Sequence, residues 1–294
     1  MCLQIPHLYG NGNISNSYLK RLSVVSKQFL SITNLLRFSL TIRAPKHFCF
    51  LRRLFHRFSN LNSLNLSIYY GNDINLLFIQ ISLFPLKLRS LHLSNTPTNL
   101  ANGLRAFSQN VTTLTSLTFF NVNYIDRNDF FLIADCFPDL QSLGFKYCHG
   151  ICNKGIGCVL WRCCNIRHLN FTGCSRVKLH GMNFEVLKLE VLNLSHTRVD
   201  DEKLYVISKS CRGLLQLSLE SCLYVTQKGV KHVVENCTQL RVINLRYCYK
   251  VHADFVASIV FSRSSLRKIF VPFSYHFKDR ERELFSRHHG CLVC

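Results

Sequence analysis

Fifteen cysteines, thirteen histidines and sixteen acidic residues are the side chains of this 294-residue chain that could attack a carbonyl, move a proton or hold a metal ion. Nucleophilic hydrolysis needs a Ser or Cys beside a His that is oriented by a third group, and glycoside chemistry needs two facing carboxylates. No Ser-His-Asp, Cys-His or paired-carboxylate arrangement has a recognisable local context here, and the acids are few and scattered. The stretch GICNKGIG from Gly150 has the glycines of a phosphate-cradling loop but lacks the Gly-Lys-Ser/Thr ending that meets the phosphates and their magnesium. The expectation is a protein that is not an enzyme and carries no cofactor.

Eight of the cysteines fall into two periodic series. Cys148, Cys174, Cys222 and Cys248 form one, with Thr197 in the same place in a shorter interval. Cys136, Cys163, Cys211 and Cys237 precede them by 12, 11, 11 and 11 residues. A tetrahedral zinc site needs four ligands converging on one point, whereas residues that recur once per period are spread along the molecule. They are expected to be reduced, buried thiols that pack as small hydrophobes, with no metal bound. His288, His289, Cys291 and Cys294 could also face one ion, but a chain end supplies no surrounding groups to orient them. Cys291-Leu-Val-Cys294 fits a C-a-a-X box with Arg280, Arg282 and Arg287 upstream, which marks Cys291 as a candidate for prenylation and weak lipid anchoring.

The elements that position these residues follow from a repeat. The pattern L-x-x-L-x-L recurs as LNSLNL at Leu61, LRSLHL at Leu88, LTSLTF at Leu114, LQSLGF at Leu140, IRHLNF at Ile166, LEVLNL at Leu189, LLQLSL at Leu214, LRVINL at Leu240 and LRKIFV at Leu266. From Leu64 to Ile269 there are 205 residues in eight steps, a mean of about 26, with one short step of 23 between Leu169 and Leu192. Alternation puts Leu64 and Leu66 on one face of a short strand and Ser63, Asn65 and Ser67 on the other. After each strand come a turn and apolar residues at helical spacing, as in GLRAFSQN from Gly103, FFLIADCFP from Phe130, GIGCVLWRCC from Gly155, KLYVISKSC from Lys203 and GVKHVVENC from Gly229. One unit cannot bury its leucine face alone, so the units must stack. The predicted fold is an α/β, right-handed leucine-rich-repeat solenoid, a horseshoe with a parallel concave sheet, outer helices and a small helical N-terminal cap.

The segments LGFKYCHGICNKGIGCVLWRCCNIRHL, LSLESCLYVTQKGVKHVVENCTQLRVI and INLRYCYKVHADFV resemble the cysteine-containing leucine-rich repeat of F-box/leucine-rich-repeat proteins, over roughly residues 50 to 272. Ahead of the repeats, SYLKRLSVVSKQFLSITNLLRFSLTI from Ser17 is similar to the second half of an F-box as found in plant members of that family, with LSVVSKQFLSI matching the helix that closes its bundle. The family's usual first helix has no counterpart in MCLQIPHLYGNGNISN. The resemblance implies a substrate-recognition subunit of an SCF-type, cullin-RING ubiquitin ligase that recruits a target for ubiquitin-dependent degradation. By the same resemblance Leu22, Val25, Ser26, Lys27 and Phe29 would meet a Skp-type adaptor. The alternative, favoured by the incomplete F-box, is an interaction scaffold with no ubiquitin link, in which these residues cap the solenoid's apolar end.

Three segments are expected: a partial F-box-like cap over 1–46, a solenoid of about nine repeats over 47–275, and a basic tail over 276–294. On the concave face the outward strand slots are mostly small and polar, so the large or charged exceptions Phe120, Lys146, His168, Glu220 and Arg246 are the candidate contacts for an unknown target protein. The formal charge of +20 sits at the ends, with nine Lys/Arg before the first acid, Asp73. With no zinc-finger, RNA-binding or basic-region pattern, nucleic acid is not the expected partner. No apolar run is long enough to span a membrane and the start lacks the form of a signal peptide. The six Asn-x-Ser/Thr triplets, from Asn13, Asn65, Asn110, Asn170, Asn193 and Asn236, are then coincidental, and the expected location is intracellular, in cytoplasm, nucleus or both.

Overall fold

A computed structural model describes residues 16–43, 48–67, 69, 73–94, 101–177, 186, 188–272, 275, 283–285, 287 and 290–294. Its centre is an all-parallel sheet of eleven strands: β1 (Ser39–Thr41), β2 (Ser63–Leu66), β3 (Ser90–Ser94), β4 (Ser116–Phe120), β6 (Ser142–Lys146), β8 (His168–Asn170), β9 (Val191–Asn193), β10 (Gln216–Ser218), β11 (Val242–Asn244), β12 (Lys268–Phe270) and β13 (Leu292–Val293). Spatial order follows chain order, apart from β5 (Tyr124–Ile125) and β7 (Gly150–Ile151), which pair separately in the turns. The register keeps the repeat's central leucine beside itself from strand to strand: Leu40, Leu64, Leu91, Leu117, Leu143, Leu169, Leu192, Leu217, Ile243, Ile269 and Val293. A slip of one residue would turn every such side chain to solvent, so burial enforces the register even across the short repeat between β8 and β9.

On the other side of this buried row lie α3 (Phe48–Arg57), α4 (Ile74–Ser82), α5 (Ala101–Asn110), α6 (Arg127–Cys136), α7 (Asn153–Arg162), α8 (Asp201–Ser210), α9 (Gln227–Asn236) and α10 (Ala253–Ser262). Several start two or three residues earlier than the apolar spacing indicates, because Asp126, Asp200 and Thr226 supply N-caps that accept backbone N–H groups of the first turn. The chain is thus a leucine-rich-repeat α/β solenoid, as the repeat predicts.

The sheet exceeds the expected solenoid at both ends. β1 lies inside the segment taken as a helical cap, and β13 inside the segment taken as a tail, so the boundaries at 46 and 276 are corrected. Leu292 N–H donates to Arg267 O at 2.8 Å, and Cys294 N–H to Ile269 O at 2.9 Å. Cys291 is 1% exposed. Attaching a lipid to Cys291 would require β13 to leave the sheet. His288 and His289 lie outside the described residues.

The cysteines do two jobs. The first series sits just beyond the strands, and three of its four members donate the thiol hydrogen to the carbonyl of the preceding repeat's last core residue: Cys174 to Phe145 at 3.1 Å, Cys222 to Leu194 at 3.1 Å and Cys248 to Leu219 at 2.9 Å, whereas Cys148 lies nearer Lys146 O of its own strand, at 3.5 Å, than Phe119 O, at 4.0 Å. Thr197 fills the same slot, but its hydroxyl donates to Leu194 O of its own repeat at 2.6 Å. The second series closes helices: Cys163, Cys211 and Cys237 are C-caps, and in the earlier repeat Cys136 is the last helical residue, with Phe137 as the C-cap. The offset of 12 rather than 11 reflects that one-residue difference.

Burial raises the thiols of Cys163, Cys237 and Cys291 to about 11 and those of Cys211 and Cys248 to about 12. Folding holds these protons more tightly than the unfolded chain does. Their contribution to stability is therefore intact below pH 9 and is lost as pH rises from 9 towards 12. At neutral pH a disulfide-exchange reagent is expected to label exposed Cys164 and Cys294 at once, and Cys211, Cys222, Cys237 and Cys248 only on unfolding. Fast labelling of that buried set in the native protein would contradict the ladder.

Candidate functional site

The face opposite the helices is built from small residues whose side chains serve the backbone. The amide oxygens of Asn65, Asn170, Asn193 and Asn244 each accept the N–H two residues on, at 2.8, 2.9, 2.9 and 3.1 Å. These turns end the strands, so three of the Asn-x-Ser/Thr triplets mark a structural device. Against that floor the expected contact residues stand out unequally. Phe120 ends β4, is 42% exposed, and meets Tyr147 edge-on with ring centroids 5.5 Å apart. Lys146 ends β6 as its register partner. Glu220 and Arg246 follow β10 and β11 side by side, Ser221 N–H donating to Arg246 O at 2.8 Å. Glu220 Oε2 accepts from Asn244 Nδ2 at 3.0 Å, and the Arg246 guanidinium lies 4.6 Å from the centroid of the Phe270 ring, which Lys268 also approaches at 4.5 Å. His168 opens β8 at the other end of the strands and joins neither pair.

Two features of this surface lie outside the expected contacts, one of them, His92, in an outward slot. His92 on β3 bonds Ser90 Oγ through Nε2 at 3.0 Å, and burial, aided by the charge of Lys146, lowers its pKa so that it is neutral at physiological pH. The second feature is the rim. After six of the strands, β4, β6, β8, β9, β10 and β11, one residue takes the left-handed conformation: Asn121 (φ 53°), Tyr147 (55°), Gly173 (73°), His196 (57°), Ser221 (59°) and Tyr247 (61°). Each hands its successor, Val122, Cys148, Cys174, Thr197, Cys222 or Cys248, to the core. Non-glycine residues in this conformation cost of order 1–3 kcal/mol, which the neighbouring repeat offsets by accepting their N–H groups, as His196 to Glu220 O at 2.7 Å. Along this rim the turns of four repeats frame an open groove of about 850 Å³, with Leu223, Tyr224, Tyr247 and Tyr249 on its apolar side and Arg198, His196 and Glu220 among its polar groups. The signal for it in the sequence is an aromatic directly beside a ladder cysteine, as in Tyr247-Cys248-Tyr249, where the cysteine takes the core slot and its neighbours are left outside.

At the N-terminal end, the run expected as one helix is broken. α1 (Asn16–Leu22) and α2 (Lys27–Leu35) are separated by a turn over residues 23–25. Serines cause the break by bonding backbone locally: Ser23 Oγ donates to Lys20 O at 2.8 Å, and Ser26 caps α2 by accepting from Phe29 N at 3.2 Å. Leu22, Val25, Lys27 and Phe29 are all exposed, and α2 buries only Thr33.

The GICNKGIG stretch is β7 and the first turn of α7, and Gly155 is there for packing, since a Cβ would lie 2.2 Å from Phe130 Cδ2. Among the described residues no three His, Cys, Asp or Glu side chains gather as metal ligands, and no helix is long and apolar enough to cross a membrane.

Fold and register together define a leucine-rich-repeat α/β solenoid. No protein-family model matches the chain. Among solved structures it is similar to the one described as the crystal structure of Rad7 and Elc1 complex in yeast, with a TM-score of 0.60 at 15% identity, covering 91% of this chain and 74% of that one. At that identity the likeness speaks for the fold.

Proposed function

We propose that this chain is a non-catalytic substrate-recognition subunit of a cullin-RING ubiquitin ligase, in which the solenoid holds a target protein and α1 and α2 dock a Skp-type adaptor. The carrying observation is an apolar helix face with no cover among the described residues. Leu22 at the end of α1, Val25 in the turn, and Phe29, Ile32 and Leu35 on α2 are 41, 65, 37, 45 and 51% exposed, and α2 buries only Thr33. Contiguous exposed apolar surface of this kind marks an interaction site. The nine cations and no acids before Asp73 suit an acidic partner. The fold likeness is compatible with this reading, since the similar solenoid was crystallised in complex with a second protein, Elc1.

The test is binding of purified Skp-type adaptor to the full chain and to Val25→Glu/Phe29→Glu. Deleting residues 1–46 would be a poor test, because it removes β1 and bares the edge of β2. The double substitution is expected to weaken adaptor binding by about tenfold or more. Unfolding free energy should change by no more than about 0.5 kcal/mol per site, since both residues are exposed. If the unmodified chain fails to bind the adaptor, the ligase role falls, and an interaction scaffold capped by α1 and α2 replaces it.

A further inference from the structure

The rim groove differs from the rest of the partner-facing surface. The floor of the sheet is small and polar, whereas here Leu223, Tyr224 and Tyr249 are 56, 53 and 60% exposed in consecutive turns. Large amphipathic rings left in water on a rigid support are the residues that supply most binding energy when a partner covers them. Their support is rigid, because the turn backbone at Ser221 is hydrogen-bonded into the next repeat and Cys222 and Cys248 anchor the adjacent positions in the core. A groove of about 850 Å³ has room for one large apolar side chain and its flanks, and being open along the rim it suits an extended chain rather than an enclosed small molecule.

Charge decides what those flanks are. Arg198 is exposed at one side of the groove, and Lys250 stands 5.9 Å from the centroid of the Tyr224 ring at the other. Arg246 and Lys268 crowd the adjoining Phe270. Among the described lining residues the one acid, Glu220, accepts from Asn244 Nδ2 at 3.0 Å. The surplus is positive in a chain of formal charge +20. Tyrosines and cations can also hold single-stranded nucleic acid by stacking. Here, however, Tyr247 and Tyr249 meet edge-on at 6.4 Å and 70°, which gives no parallel platforms for successive bases.

We propose that this groove binds an extended, acidic segment of a partner protein that inserts one large apolar side chain among Leu223, Tyr224 and Tyr249 while its carboxylates face Arg198 and Lys250. This rests on the partner-binding reading of the solenoid and not on the docking of α1 and α2, so either can fail alone.

The experiment is fluorescence anisotropy on the full chain, with no adaptor present. The probes are fluorescein-labelled peptides with a central Leu, Phe or Trp and flanks of Glu, Gln or Lys, together with labelled oligouridine. Glu-flanked peptides are expected to bind tightest, with an affinity that falls as salt rises. Tyr224→Ala/Tyr249→Ala is expected to weaken them by about tenfold or more, and Arg198→Glu to abolish or reverse the preference for acidic flanks. All three residues are exposed, so the variants should unfold at the wild-type denaturant midpoint, which separates a lost contact from a lost fold. The proposal is overturned by equal binding of Glu- and Lys-flanked peptides, by no binding of any peptide at millimolar concentration, by unchanged affinity in the tyrosine variant, or by oligouridine outcompeting the acidic peptides.

Discussion

Phe145→Ala is expected to lower the unfolding free energy by about 3–5 kcal/mol, as truncation of a fully buried phenylalanine does. Phe145 is 0% exposed and stands in a column of rings, 5.4 Å from Phe119 at 4° between planes and 5.9 Å from Phe171 at 12°, with Phe130 of α6 at 5.3 Å on the helix side. Each aromatic pair adds roughly 0.5–1.5 kcal/mol beyond the area it buries. In a solenoid the cavity has a second consequence. Contacts run only between neighbouring repeats, so weakening the junction between β4 and β8 uncouples the two halves. Urea unfolding followed by circular dichroism should show the loss as a lower midpoint together with a shallower or divided transition. A loss under about 1 kcal/mol with an unchanged slope would mean that the column does not couple the repeats.

Gly155 gives the second large effect, with a sign opposite to helix propensity. In an exposed helix, glycine to alanine is stabilising by about 1 kcal/mol. At Gly155 the new Cβ would fall 2.2 Å from Phe130 Cδ2 and 2.8 Å from Cγ, and Phe130 is 0% exposed with Phe145 behind it. The ring cannot give way without disturbing the column, and overpacking of this sort costs about 1–3 kcal/mol. Gly155→Ala should therefore be destabilising on balance, and Gly155→Val more so, at about 3 kcal/mol, because it adds bulk without alanine's propensity gain. Gly144→Ala is the control. The atoms nearest its Cβ belong to the Thr118 side chain, at 3.2 Å, and its effect should be small. Thermal or urea unfolding of the three variants orders them, and stabilisation by Gly155→Ala would refute the packing account. Combined with Phe145→Ala the costs should not add, since the cavity left by one accommodates the other.

Nine strands were legible because their inward slots are filled by Leu, Ile, Val and Phe at a steady period. The two terminal strands were not, for a physical reason. In β1 the slot equivalent to Leu61 is Arg37, whose guanidinium lies 4.9 Å from the centroid of the Phe58 ring instead of entering the core. Before β13 the slot equivalent to Leu266 is Gly290. Backbone pairing with a complete neighbour compensates for the missing side chain, and a motif made of side chains does not register it. The cysteines were legible as a ladder, but the thiol-to-carbonyl link to the preceding repeat depends on stacking distance and not on spacing. Of the concave contacts, Glu220 borders the groove and Phe120 and Lys146 pair elsewhere. The groove's tyrosines lie in turns, outside the alternation that identified the rest. The α1–α2 break turned on two serine side chains competing with helical backbone, which apolar periodicity cannot reveal.

The left-handed turn residues that follow β4, β6, β8, β9, β10 and β11 separate two roles that most surface positions must combine. Ser221 and Tyr247 face the groove, while the very next residues, Cys222 and Cys248, are 0% exposed. One position can therefore change chemically with little effect on the other, as Asn121, Tyr147, His196, Ser221 and Tyr247 illustrate in one molecule, whereas Gly173 is held by the Tyr147 ring, 2.4 Å from where a Cβ would stand. A chain built this way can retune what it recognises repeat by repeat, by single substitutions along a line, while the row of donors and hydrophobes behind that line keeps the stack closed.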